Sequence, residues 1–209
     1  MAVVLWGSSR RHDMLRAKEH DRVFKLLCSG QLESGHGLNY EFGLKRAKGT
    51  CWGSHYGSLL NLTLVFESTI DVLDYLIDDG FDLTQRERAF ALFKQLQTFD
   101  FIFLLHLMKS VLVKTNDLSQ ALQKKDQDII NAMKLVKLTK ELLEKMRNDN
   151  GEWESFVQGV VSSCEKFDVV VPNMGDDYKD PRRSRHRMEK MKNLHHFRFQ
   201  NIFTQREVL

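Results

Sequence analysis

Apolar residues along the middle of the chain recur at the spacing of a helix face. From Trp52 to Asp79 the positions Tyr56, Leu59, Leu60, Leu62, Leu64, Phe66, Ile70, Val72, Leu73, Leu76 and Ile77 fall mainly three and four apart. That period predicts one long helix, with Asp78-Asp79-Gly80 as its stop. Thr84 followed by Glu87 reads as a capping box, after which Phe90, Leu92, Phe93 and Leu96 supply the next stripe. Phe99 to Val113 is apolar on nearly all sides, the mark of a helix in the middle of a bundle. Asp117 and the residues after it lead into Ile129, Ile130, Met133, Val136, Leu138, Leu142, Leu143 and Met146, spaced as one long amphipathic helix ending near Asn148-Asp149-Asn150-Gly151. A further helix spans Glu152 to Lys166, with Trp153, Phe156, Val157, Val160 and Val161 facing inward. The short connections favour antiparallel packing.

The ends break this pattern. Residues 30–50 hold five glycines, Gly30, Gly35, Gly37, Gly43 and Gly49, and little periodicity, which predicts an extended loop. The only prolines, Pro172 and Pro181, fall within residues 168–187, which read as a loop before a last helix from about Met188. The expected fold is therefore all-α, a bundle of five to seven helices. It divides into an N-terminal helix and glycine-containing loop (1–50), a helical bundle (51–167), and a basic loop with a C-terminal helix (168–209).

Composition narrows the function classes. Apolar runs such as Phe101 to Leu105 are far short of the roughly 20 residues of a membrane helix, so no membrane partner is expected. The N-terminus lacks the basic and long apolar regions of a signal peptide. Cys28, Cys51 and Cys164 form neither CxxC pairs nor an even set, which points to reduced thiols in an intracellular protein and away from a zinc finger. Net charge is +3, compatible with nucleic acid, and it is unevenly spread.

Arg182, Arg183, Arg185 and Arg187 place four guanidiniums within six residues, a dense donor array that suits phosphate binding or nuclear import and equally a solvated loop. Trp52, near a helix start, suits base stacking and equally a core or hinge anchor. Asp71, Asp74 and Asp78 share a helical face and Asp176-Asp177 are adjacent, but hard-metal sites draw ligands from loops as well, so a solvated acidic face is the expectation. His55 has no nucleophile or acid at recognisable spacing, and His195-His196 have no third ligand near them. The sequon Asn61-Leu62-Thr63 falls in mid-helix. No catalytic residue, metal, cofactor or small-molecule substrate is expected.

The block Thr50-Cys-Trp-Gly-Ser-His-Tyr-Gly-Ser-Leu-Leu-Asn-Leu62 resembles the Thr-Arg-Trp-(Gly/Ser)-Ser-x-Tyr motif that opens the helical insertion of plant hAT-type transposase-like proteins, above all those described as zinc finger MYM-type. The likeness continues through Arg11 to Arg16, Gln97 to Phe101, Leu105 to Lys109, Asn116 to Asp128, Val171 to Met174 and Asn193 to His196. It implies an all-α insertion domain of a ribonuclease-H-like enzyme whose two aspartates and one glutamate bind two metals. By the resemblance the chain starts after both aspartates and stops before the glutamate, so the implied activity is none. Trp52 maps to the tryptophan that stacks on an unpaired base, while Cys51 replaces the neighbouring arginine and removes a phosphate or carboxylate partner.

The function this implies is a transposon-derived, catalytically incomplete fragment retaining weak DNA binding through Trp52 and the arginines. Its expected partners are DNA and related transposase-like polypeptides, and its expected compartment is the nucleus, otherwise the cytoplasm. The alternative is a helical protein-interaction scaffold with a host role, which predicts a sizeable exposed apolar patch.

Overall fold

The computed structural model describes residues 9–28, 52–79, 82–125, 128–179 and 191–200, and every regular element among them is helical. They are α1 (Ser9–Cys28), α2 (Trp52–Leu64), α3 (Phe66–Asp79), α4 (Leu83–Leu96), α5 (Phe99–Leu122), α6 (Ile129–Asn148), α7 (Asn150–Lys166) and the short α8 (Asn193–His195), which continues as a π-helical turn over His196–Gln200. The described residues contain no strand, only an isolated antiparallel bridge between Asp177 and Lys192. The glycine-containing loop of residues 30–50 lies outside the described residues.

The single helix expected from Trp52 to Asp79 is two, parted at Val65. The hydrogen-bond ladder survives the break: Val65 N–H donates to Asn61 O at 3.0 Å and Thr69 N–H to Val65 O at 2.8 Å. What changes is the partner, because α2 packs chiefly on α5 while α3 packs on α1 and α4. Val65, Phe66 and Leu62 are all buried at the joint, so each half turns its own apolar face to a different neighbour.

Caps fix the other boundaries. Asp82, rather than Thr84, starts α4, its carboxylate accepting from Thr84 N–H at 3.3 Å. Thr98 caps α5 by accepting from Phe101 N–H, and α5 runs on to Leu122, well past the apolar stretch ending at Val113. Asp128 caps α6 through Asn131 N–H at 2.6 Å. Asp149 caps α7 through Glu152 N–H at 3.1 Å and is the only residue between α6 and α7, so the chain reverses sharply there. Each such cap satisfies an otherwise orphaned donor of a first turn.

Two apolar cores meet along α5. One gathers Leu15 of α1, Leu62 of α2, Phe66, Val72, Leu73 and Leu76 of α3, Ala89 and Leu96 of α4, and Leu105 of α5. The other gathers Phe99, Ile102, Phe103 and Leu107 of α5, Trp153, Val160 and Cys164 of α7, Val169 and Phe197. Phe167 packs against both, edge-on to Phe66 at 4.7 Å between centroids. Phe103 is the hub of the second core, with Trp153, Phe156 and Phe197 rings within 6.0 Å.

The chain after α7 is tied down. Asp168 takes a left-handed φ of 53°, Asp168 N–H donates to Glu165 O and Val169 N–H to Cys164 O, which together close α7 with a Schellman motif. Tyr178 N–H then reaches Met191 O at 2.7 Å, Asn193 N–H reaches Asp176 O at 2.9 Å, and the Asn193 amide reaches Asn173 O at 2.7 Å. Among the described residues the last helix begins at Asn193, after Lys192, which is held extended by its bridge to Asp177, and the expected start near Met188 lies outside the described residues. Residues 168–179 are without regular helix, as the expected loop requires, and they are anchored on the bundle through Val169, which is buried.

Candidate interaction surface

The residues that the sequence nominated for DNA are not assembled among the described residues. Trp52 is the first residue of α2 with its side chain outside them, and Arg182, Arg183, Arg185 and Arg187 also lie outside them. His55 is exposed on α2, and Asp71, Asp74 and Asp78 are exposed along α3. Among the described residues no group of three His, Cys, Asp or Glu side chains is placed to hold a metal. His195 is exposed, while the His196 ring stacks on Tyr178 at 3.4 Å. Asn61 sits within α2, where Thr63 Oγ1 donates to Leu59 O at 2.9 Å.

One polar contact that the sequence did not signal joins two distant helices. Ser163 of α7 lies 3.0 Å from His106 Nε2 of α5 and donates to Gly159 O at 3.0 Å. The hydroxyl lies within reach of both groups, and which of Ser163 and His106 donates between them follows from the imidazole tautomer. Burial, and secondarily Lys109, hold the His106 pKa below its ordinary value. The Cys164 thiol beside it is pushed up to about 11, by burial first and by Glu165 second, so it stays a neutral apolar filler. A cleft of about 360 Å³ lies between the start of α5 and the segment 170–179, with Asp100, Asp176 and Asp177 on its wall. Asp177 is already paired with Lys192 at 2.8 Å.

The surface that stands out is α6. Its face toward α5 and α7 is a half-buried stripe of Ala132, Leu135, Thr139, Leu143 and Met146, and none of its residues is buried. Ile129, Ile130, Met133, Val136, Leu138 and Leu142 are between 43% and 79% exposed, highest at the first turn. From sequence these residues read, together with Leu143 and Met146, as the apolar face of one amphipathic helix. Their apolar arc is wider than one packing face needs, and that width was the available signal. The polar side carries Lys134, Lys137 and Lys140, of which the last two reach Glu141 and Glu144 at a loose 3.9 Å. No single helix among the described residues is long and apolar enough to cross a membrane.

The arrangement defines a class of architecture, a helical bundle with two cores and one helix left apolar toward solvent. Comparison with known proteins finds no matching family, no matching curated protein and no matching solved structure. The functional reading therefore rests on the chain's own residues.

Proposed function

We propose that this chain is a non-catalytic helical interaction module, of hAT-transposase-like descent, that offers the apolar side of α6 to another polypeptide. The observation that carries the reading is the exposure of six large apolar side chains on one helix. Scattered apolar residues are normal on a protein surface, whereas a row such as Ile129, Met133 and Val136 on one side of a helix marks a contact site, with Leu138 and Leu142 on the opposite flank. Burying them stabilises an association by about 25 cal/mol per Å² of apolar area before the costs of binding are met. Related transposase-like polypeptides and host proteins are the partners in view.

The test is affinity capture from extract with the wild-type chain and with an I129S/M133S/V136S variant side by side. The expected result is a stoichiometric partner with the wild type that disappears with the variant. Identical recoveries from both would remove α6 from the function.

A second reading, weak DNA binding in the nucleus, rests on the sequence of Arg182, Arg183, Arg185 and Arg187 and on Trp52. Fluorescence anisotropy with duplex and hairpin DNA across a salt series decides it. Affinity that falls with salt, with a log–log slope that shrinks when the four arginines become alanine, supports that reading, and no binding at low salt rejects it.

A further inference from the structure

We propose that the first half of α6 is a docking ridge for an acidic amphipathic helix of a partner protein, an inference that rests on the interaction-module reading and names the chemistry its face selects. Ile129, Met133 and Val136 stand at i, i+4 and i+7 on one side of the helix, with Ile130 beside the row, and all four are exposed. Rows of this spacing are what a second helix packs between, side chains of one entering the grooves of the other.

Charge then selects the rim of that second helix. From residue 129 to residue 140 the sequence has no acidic residue, and Lys134, Lys137 and Lys140 are all exposed. Just before the helix, exposed Lys124 and Lys125 are balanced in the sequence by Asp126 and Asp128, so the positive sign belongs to residues 129–140 alone. The nearby carboxylate of Asp128 is taken up in the cap, accepting from the Asn131 backbone at 2.6 Å and its side-chain amide at 3.1 Å. A helix lying along the apolar row therefore meets a lysine rim, and aspartate or glutamate on its flanks complements it.

Two other occupants match this surface less well. A second copy of the chain packed in parallel would bring six lysines of like charge to one seam, which opposes pairing in that orientation. An anionic membrane is flat and would also meet Glu141 and Glu144 one turn further on, whereas a partner helix of about three turns covers the lysine half alone.

The experiment uses the full chain and two synthetic helical peptides with the same leucine stripe at i, i+3, i+4 and i+7, one flanked by glutamates and one by lysines. Anisotropy of the labelled peptides is read against the wild type, a K134Q/K137Q/K140Q variant and the I129S/M133S/V136S variant. Thermal melts establish that each variant is folded. The expected result is that the glutamate peptide binds the wild type about tenfold more tightly than the lysine peptide. That preference vanishes in the glutamine variant, and both peptides lose binding in the serine variant.

Equal binding of the two peptides to the wild type overturns the acidic-helix inference while leaving α6 an apolar docking face. Binding of neither peptide overturns the inference too, and the extract capture with the serine variant then decides separately whether α6 has a partner at all. Self-association of the free chain through α6, or tighter binding to phosphatidylserine vesicles than to either peptide, overturns it in favour of those occupants.

Discussion

Glu19 is a charged side chain only 1% exposed, and its surroundings explain why a helix so polar in sequence is held in the bundle. Its carboxylate accepts from Arg22 at 2.6 Å and from Ser68 Oγ at 2.6 Å, joining α1 to α3, while Arg22 also reaches Leu64 O at the end of α2. The hydrogen bond to Glu19 is the main reason the Arg22 pKa is raised. Removing the carboxylate leaves a guanidinium and a hydroxyl without it in a largely dry site, so Glu19→Ala is expected to cost about 2–3 kcal/mol in urea unfolding. A loss below about 0.5 kcal/mol would show that the pair holds little together.

His106 gives a pH dependence of definite sign. Its folded pKa lies below the ordinary 6.5 because of burial and Lys109, so the unfolded chain takes up a proton there before the folded one does. The contribution is fully present above pH 6.5 and is lost as pH falls below that value. The melting temperature is expected to drop between about pH 7.5 and about pH 5.5, and His106→Gln to flatten that drop while keeping a polar partner for Ser163. Equal slopes for the two proteins would place the titration elsewhere.

Helix existence was legible from periodicity, and boundaries were legible where a single side chain makes them. The end of the helix before Asp149, and a helix beginning near Phe99, follow from local chemistry that the sequence displays. The cap of α4 was misplaced because Asp82 and Thr84 are both good capping residues, and only the backbone shows that Asp82 is extended, with φ −125° and ψ 130°. Two glycines sit within helices where nothing requires them: a methyl group at Gly57 of α2 or at Gly159 of α7 would meet no atom within 4 Å. Gly57→Ala and Gly159→Ala are each expected to stabilise the fold by about 0.5–1 kcal/mol in chemical denaturation, since alanine gives up less backbone freedom on folding. Destabilisation by either would reveal a packing constraint at that site.

The two cores depend on different parts of the chain, and the second depends on its C-terminal segment. Phe197 is almost fully buried, its ring 5.0 Å from those of both Phe99 and Phe103. Phe197→Ala is expected to cost about 3–5 kcal/mol and to raise binding of a hydrophobic dye, because the cavity opens beside Phe103. The contrast is I129S/M133S/V136S on α6, where each change is expected to stay within about 0.5 kcal/mol of the wild type. If the α6 variant proved as damaging as Phe197→Ala, something in the protein would already cover that face.

The order of polar and apolar residues was enough to make this an all-helical chain, to place most of its helices, and to mark Phe99 to Val113 as the buried one. Those properties are local, set by spacing and capping within a few residues. It did not determine that the long stretch from Trp52 breaks at Val65, that residues 168–179 are strapped to the bundle, or that α6 faces solvent with Ile129, Ile130 and Met133. Periodicity tells which side chains share a face of a helix. Whether that face finds another to cover it depends on where the remaining helices lie, and only the tertiary packing decides that.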